Sequence, residues 1–181
     1  SHLFTSLDKR NDLFEVINTA IDLFSLPLSD KIDFKILGIS KRQYFINDEK
    51  NNFFQVFLNI FQNSYTSYLQ KGSPNKIIEI SVEKKSKTKL EINIKDFANG
   101  IQEDHLNKVF NISFSTKGPE NMGGMGLFLS KDLIESKMGS IKLNSVFKEG
   151  TTVSVTLPYT AHENRDCGGE LTDELKAPSL T

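Results

Sequence analysis

Six polar, uncharged side chains, Asn52, Gln55, Asn59, Gln62, Asn63 and Thr66, are spaced for a single face of one helix. At ~100° per residue all of them fall within about 60° of Asn59. The rest of that circumference carries Phe53, Phe54, Val56, Phe57, Leu58, Ile60, Phe61, Tyr65, Tyr68 and Leu69, so the helix should be largely buried. A solvated face ordinarily carries Lys and Glu. Amides and a hydroxyl in their place offer oxygen atoms that coordinate or hydrogen-bond without adding charge. An Asn carbonyl oxygen is a competent ligand for a hard divalent cation whose charge is balanced mostly by substrate phosphates. The plain alternative, that the stripe is simply the wetted side of the helix, stands beside it.

Two further features carry chemistry. The alternating run Leu90, Ile92, Ile94 reaches Asp96 in phase, which puts a carboxylate on the covered face of a strand. A buried, unpaired carboxylate is costly, so this one requires a donor. In GPENMGGMGLFLSKDLIESKMG, residues 118–139, Gly123, Gly124 and Gly126 run straight into a helix. Free amides at a helix N-terminus, aided by its dipole, make an anion site, although glycines there also serve as an ordinary turn.

These groups need a scaffold. Leu13, Phe14, Ile17, Ala20, Ile21 and Phe24 predict a helix over 11–24 stopped by Pro27, and KIDFKIL (31–37) reads as a short extended piece. A polar connection leads to the long helix, 48–70, closed by Gly72 and Pro74. Ile78, Ile80, Val82 and Leu90, Ile92, Ile94 form a hairpin across the basic turn KKSK. A short helix (103–110), a loop (111–124), a helix (126–138) and a second hairpin turning at Lys148, Glu149 and Gly150 follow. The expected fold is α+β, a two-layer sandwich whose mixed, mostly antiparallel sheet is covered on one face by about three helices. After Pro158 the apolar periodicity disappears, and residues 159–181 read as a flexible tail or linker.

Bulk properties narrow the function. With 181 residues the chain can bury one good core. Its 22 basic and 23 acidic residues nearly cancel, so no nucleic-acid partner is expected. The single cysteine, Cys167, cannot form an internal disulfide, and no apolar run approaches the ~20 residues that span a bilayer. A cytoplasmic location is expected, with a membrane anchor in a longer parent protein left open.

QVFLNIFQNS (55–64) resembles the N box of the histidine-kinase catalytic domain, an ATP-binding domain of the GHKL fold, with Asn59 and Asn63 as its paired asparagines. DFANG (96–100) is similar to its G1 box, VFNISFSTK (109–117) to its F box and the residues after it, and GGMGL (123–127) to its G2 box. EGTTVSVTLP (149–158) matches the closing strand, and the resemblance covers residues 11–158.

By position, the resemblance implies that Asn63 ligates Mg²⁺ bridging the ATP phosphates, supported by Asn59, and that Asp96 accepts a hydrogen bond from the adenine amino group. Ala98, Gly100 and Ile101 would line the adenine pocket, and Thr151 would help through water. The loop 111–124 would be a lid. Thr116, Lys117, Gly124, Met125, Gly126 and Leu127 would surround the phosphates, with Thr66 where relatives carry Lys or Arg. Phe110 and Phe114 would pin the lid or fill the core. Ala98, Thr66, Met122 and Ile112 depart from the family pattern. Where hydrolysing members of the fold place a glutamate, this chain has Asn59, which cannot take a proton at neutral pH. The implied activity is therefore transfer of the γ-phosphoryl group from ATP to a histidine. That histidine is expected on a dimerisation domain outside the fragment, since His2, His105 and His162 lack an acceptor's context, and residues 1–10 read as the end of that segment. The implied partners are that domain and a response-regulator receiver domain, in a homodimeric parent whose isolated fragment is monomeric. A degenerate interaction module of the same fold is the alternative.

Overall fold

The computed structural model describes residues 10–28, 30–38, 44–47, 52–106, 108–111 and 126–161. Strand β1 (Arg10–Asp12) leads into helix α1 (Leu13–Ser25), where the Asp12 carboxylate accepts a hydrogen bond from the Phe14 amide at 2.8 Å. Strands β2 (Asp33–Leu37) and β3 (Tyr44–Asn47) precede helix α2 (Phe53–Lys71), which stops at Gly72 in the left-handed conformation, φ 67°. Next come β4 (Ile77–Lys84), β5 (Lys89–Asp96), the one-turn helix α3 (Glu103–Leu106) and helix α4 (Gly126–Ser136). The hairpin β6 (Ser140–Val146) and β7 (Gly150–Pro158) is followed by β8 (Thr160–Ala161).

Five strands form one sheet in the order β2-β4-β5-β7-β6, with only the β2–β4 pair parallel. Along β4 and β5 the side chains alternate strictly, so Ile78, Ile80 and Val82, with Leu90, Ile92 and Ile94, reach the core and their neighbours do not. Leu13, Ile17 and Phe24 of α1, Val56, Phe57, Ile60 and Phe61 of α2, and Ile134 of α4 join them in one cluster. The rings of Phe24, Phe34 and Phe61 meet edge to face. This is the expected α+β sandwich.

The details differ in four places. Helix α2 runs 53–71, with residues 48–51 outside the described set, and the short helices end earlier than expected, at 106 and 136. The stretch after 37, read as a polar connection, contains β3. That strand is the middle of a second sheet, β1-β3-β8, unforeseen because its outer members have three residues and two. Finally, regular structure continues past Pro158 to residue 161, and the rest of the expected tail, 162–181, lies outside the described residues. Tyr159 is buried against the Tyr44 ring, and β8 pairs with β3.

Candidate functional site

Asp96 ends β5 and is 4% exposed, the expected buried carboxylate. Three donors meet it. The Ser64 hydroxyl bonds Oδ2 at 2.8 Å, and the backbone amides of Ala98 and Thr151 bond Oδ1 at 3.0 and 3.2 Å. Thr151 serves through its amide, while its hydroxyl is bonded to Ser145. Burial pushes the Asp96 pKa above the ordinary carboxylate value, opposed by the three hydrogen bonds and by the charge of Lys71. Each carboxylate oxygen accepts about two hydrogen bonds. Oδ1 is therefore satisfied, and Oδ2 keeps room for one more donor.

The turn 96–100 that carries this acid is held from two sides. From α2, Ser67 accepts from the Asn99 amide at 3.0 Å and the Tyr68 hydroxyl accepts from the Phe97 amide at 2.9 Å while donating to the Ile77 carbonyl. The Lys71 ammonium donates to the carbonyls of Phe97 and Ala98, both at 2.9 Å. Across the sheet edge lies the β6–β7 turn. Gly100 has φ +65°, and a Cβ there would stand 2.1 Å from the Val146 carbonyl oxygen. Its glycine is thus demanded by turn packing. Ile101 donates its amide to Ser145. Ala98 is fully buried, so its methyl group fills the interior beneath the turn.

The amide stripe of α2 lies where its spacing put it. Asn59 and Asn63 are half-buried, and Gln55 and Gln62 to one side of them are exposed. Asn59 is engaged: its amide nitrogen donates to the Gly126 carbonyl at 3.2 Å and the Ser130 hydroxyl at 3.1 Å, and its oxygen accepts from Gln55. It therefore clamps the first turn of α4 to α2. Asn63 makes no side-chain hydrogen bond among the described residues, which leaves its carbonyl oxygen available. The Thr66 hydroxyl bonds back to the Gln62 carbonyl of its own helix at 2.8 Å.

Gly126 opens α4, where a Cβ would meet the Asn59 side chain at van der Waals distance, while Leu127 and Phe110 pack against the core. The Lys131 ammonium sits 5.7 Å above the Phe110 ring. Thr116, Lys117, Gly124, Met125 and Phe114 lie outside the described residues. The structure thus gathers Asp96, Ala98, Gly100, Ile101 and Thr151 at one end of β5. Asn59, Asn63, Thr66, Gly126 and Leu127 belong to the α2–α4 side.

Four residues escaped the sequence reading: Ser64, Ser67, Tyr68 and Lys71, a polar row centred roughly 130° around α2 from the amide stripe. Their i, i+3, i+4, i+7 spacing was visible. Tyr68 was counted as apolar, and two serines and a terminal lysine on a greasy helix give no separate signal. Buried Ser130, which bridges Asn59 and the Gly126 carbonyl, was missed as well.

The class of fold is thus a two-layer α+β sandwich with a buried acid at the end of one central strand. The chain belongs to the family described as histidine kinase-, DNA gyrase B-, and HSP90-like ATPase, which it matches over residues 48–161. It is 26% identical over 150 residues, 81% of its length, to the sensor histidine kinase WalK of Bacillus subtilis, of which it covers 24%. Sporulation kinase A of the same species is 29% identical over 65% of this chain and 18% of the relative. A mycobacterial sensor histidine kinase, MprB, has the same fold, with a TM-score of 0.71 at 18% identity, covering 84% of this chain and 99% of that one. The chain therefore spans about a quarter, or less, of the length of these curated relatives.

Proposed function

We propose that this chain is the ATP-binding catalytic domain of a sensor histidine kinase. In this reading it binds Mg-ATP and passes the γ-phosphoryl group to a histidine on a separate dimerisation domain, for relay to a response-regulator receiver domain. The observation that carries the proposal is Asp96. It is a buried carboxylate with three donors already in place and one acceptor position left on Oδ2, the complement of an exocyclic amine. The names of the relatives, sensor histidine kinases and a sporulation kinase, support the same reading.

The residues fit the ligands. Asn63 offers one neutral oxygen, and no group of three His, Cys, Asp or Glu side chains able to hold a metal occurs among the described residues. That donor set suits an ion bound mainly by phosphates and water, not one caged by protein. Magnesium would neutralise charge on the phosphates, while Asn63 orients it, Asp96 fixes the base, and Gly126 stands at the N-terminus of α4, favourable for anionic oxygens. Asn59 holds α4 in place and cannot act as a base. The proposed setting is cytoplasmic and the proposed parent homodimeric. No described helix is long and apolar enough to cross a membrane.

Titrating the melting temperature with Mg-ATP tests the site. At one hundred times Kd a single site adds ~2.7 kcal/mol. Absence of any shift at millimolar Mg-ATP would overturn the proposal in favour of a degenerate interaction module.

A further inference from the structure

We infer that Lys71 is a positioning residue for the adenine end of the site, tying the turn that carries Asp96 to the β6–β7 turn through three backbone carbonyls; this rests on the ATP reading above. An ammonium group has three donors and no acceptor. Here the three acceptors come from two turns far apart in sequence: the Phe97 and Ala98 carbonyls at 2.9 Å, and the Lys148 carbonyl at 3.3 Å. Converging carbonyl dipoles repel one another unless a cation stands between them.

Lysine at the last turn of a helix commonly complements that helix's own carbonyl end. Lys71 ends α2, but its side-chain hydrogen bonds among the described residues all run to other elements, so dipole compensation does not account for its position. The two turns it joins are also interlocked without slack. The Lys148 amide donates to the Asn99 carbonyl at 2.6 Å. A Cβ on Gly150 would stand 2.1 Å from the Asp96 carbonyl oxygen, and one on Gly100 equally close to that of Val146. A shift of the β6–β7 turn therefore moves the backbone of Asp96 itself. Thr151, at the start of β7, delivers one of the three hydrogen bonds to the Asp96 carboxylate, so the same shift disturbs that bond too. Lys71 thus acts on the base through the turn and makes no contact with the nucleotide.

The test compares Lys71→Met, Lys71→Gln and Lys71→Arg with the wild-type chain, each first shown to melt cooperatively. Calorimetry measures Kd for Mg-ATP well below the melting temperature, and amide hydrogen exchange without nucleotide follows Asn99 and Ile101. Loss of the cation in Met or Gln should raise Kd about tenfold, the low end for charge-assisted bonds because water reaches this side chain. Exchange at both amides should quicken, and Arg should restore both readouts. Unchanged Kd and exchange in Met and Gln, with the wild type binding normally, would overturn the inference and leave the ATP reading standing. An equal loss in Arg would also overturn it, since the charge would then not be what matters. A wild-type chain that fails to bind Mg-ATP would overturn the ATP reading and this inference together.

Discussion

Replacing Asp96 by Asn separates the nucleotide reading from the fold. The change is nearly isosteric, and the side-chain oxygen can keep both backbone donors, Ala98 and Thr151. The new amide nitrogen takes the place of Oδ2 and faces the Ser64 hydroxyl, which turns to accept. No hydrogen bond of the empty site is lost. Burial raises the pKa of Asp96 in the folded chain. The folded state consequently holds the proton more tightly than the unfolded one, so ionised Asp96 opposes folding above the folded pKa. That opposition fades as pH falls through this value towards the unfolded one. At neutral pH the Asn variant should therefore melt at or above the wild-type temperature without nucleotide, and the difference should shrink on acidification. With ATP the order reverses, because the adenine amino group now meets a donor. Loss of one bond to a charged acceptor costs ~2 kcal/mol, about thirtyfold in Kd. At one hundred times the wild-type Kd, the wild type should gain roughly 5–10 °C, from ~2.7 kcal/mol spread over a domain of this size. The variant, at about three times its own Kd, should gain ~0.8 kcal/mol, roughly 2–3 °C. Scanning fluorimetry with Mg-ATP and Mg-GTP reads both. Guanine presents an acceptor where adenine presents the amine, so the ATP preference should narrow in the variant. Wild-type ATP affinity should also weaken as pH falls through the raised pKa, while the variant's stays flat. An ATP shift in the variant equal to the wild type's would refute the reasoning.

Other sites give separate outcomes. Asn63→Ala should leave the melting temperature without nucleotide within about 0.5 kcal/mol of wild type, since no side-chain hydrogen bond among the described residues is lost. Its ATP shift should become the same with magnesium as with chelator, whereas a persisting magnesium dependence would remove Asn63 from the metal role. Asn59→Asp sets a carboxylate against the Gly126 carbonyl and should destabilise more than Asn59→Ala, by about 1–2 kcal/mol against the wild type. Urea unfolding checks the order, and equal stability of wild type and both variants would show that the α2–α4 clamp does not matter. Gly100→Ala combines positive φ with a Cβ 2.1 Å from the Val146 oxygen, so a loss of at least about 2 kcal/mol is expected in the same assay. A loss under about 0.5 kcal/mol would show that the turn yields easily.

Periodicity made most of the fold legible. The runs at 78–82 and 90–94 alternate so strictly that their pairing, and the inward phase of Asp96, could be read directly. The second sheet could not. Arg10–Asp12 and Thr160–Ala161 are too short to show a period, and each exists only because Tyr44–Asn47 supplies its hydrogen-bonding partner. At the site, the residues proposed to touch a ligand announce themselves by type: Asp96 is polar where an apolar residue is expected, and Asn63 is an uncharged amide where a solvated face ordinarily carries Lys or Glu. The residues that hold them work through backbone carbonyls and amides. Lys71 looks like any terminal lysine until the carbonyls of Phe97, Ala98 and Lys148 are brought around it.

In the proposed reading, Asn59 disfavours water attack in two ways. An amide cannot accept a proton from water at neutral pH, which removes the base that hydrolysis requires. Its nitrogen is also spent on two acceptors of α4, the Gly126 carbonyl and the Ser130 hydroxyl. A glutamate in its place would supply a base and, in the same step, remove both donors and oppose a carboxylate to a carbonyl. The α2–α4 junction is therefore built around an amide. Converting this site to water attack would require rebuilding the helix contact that places Gly126 near the phosphates in the proposed complex. Phosphoryl transfer to a side chain brought from another domain makes no such demand, because positioning and charge neutralisation supply most of its catalysis.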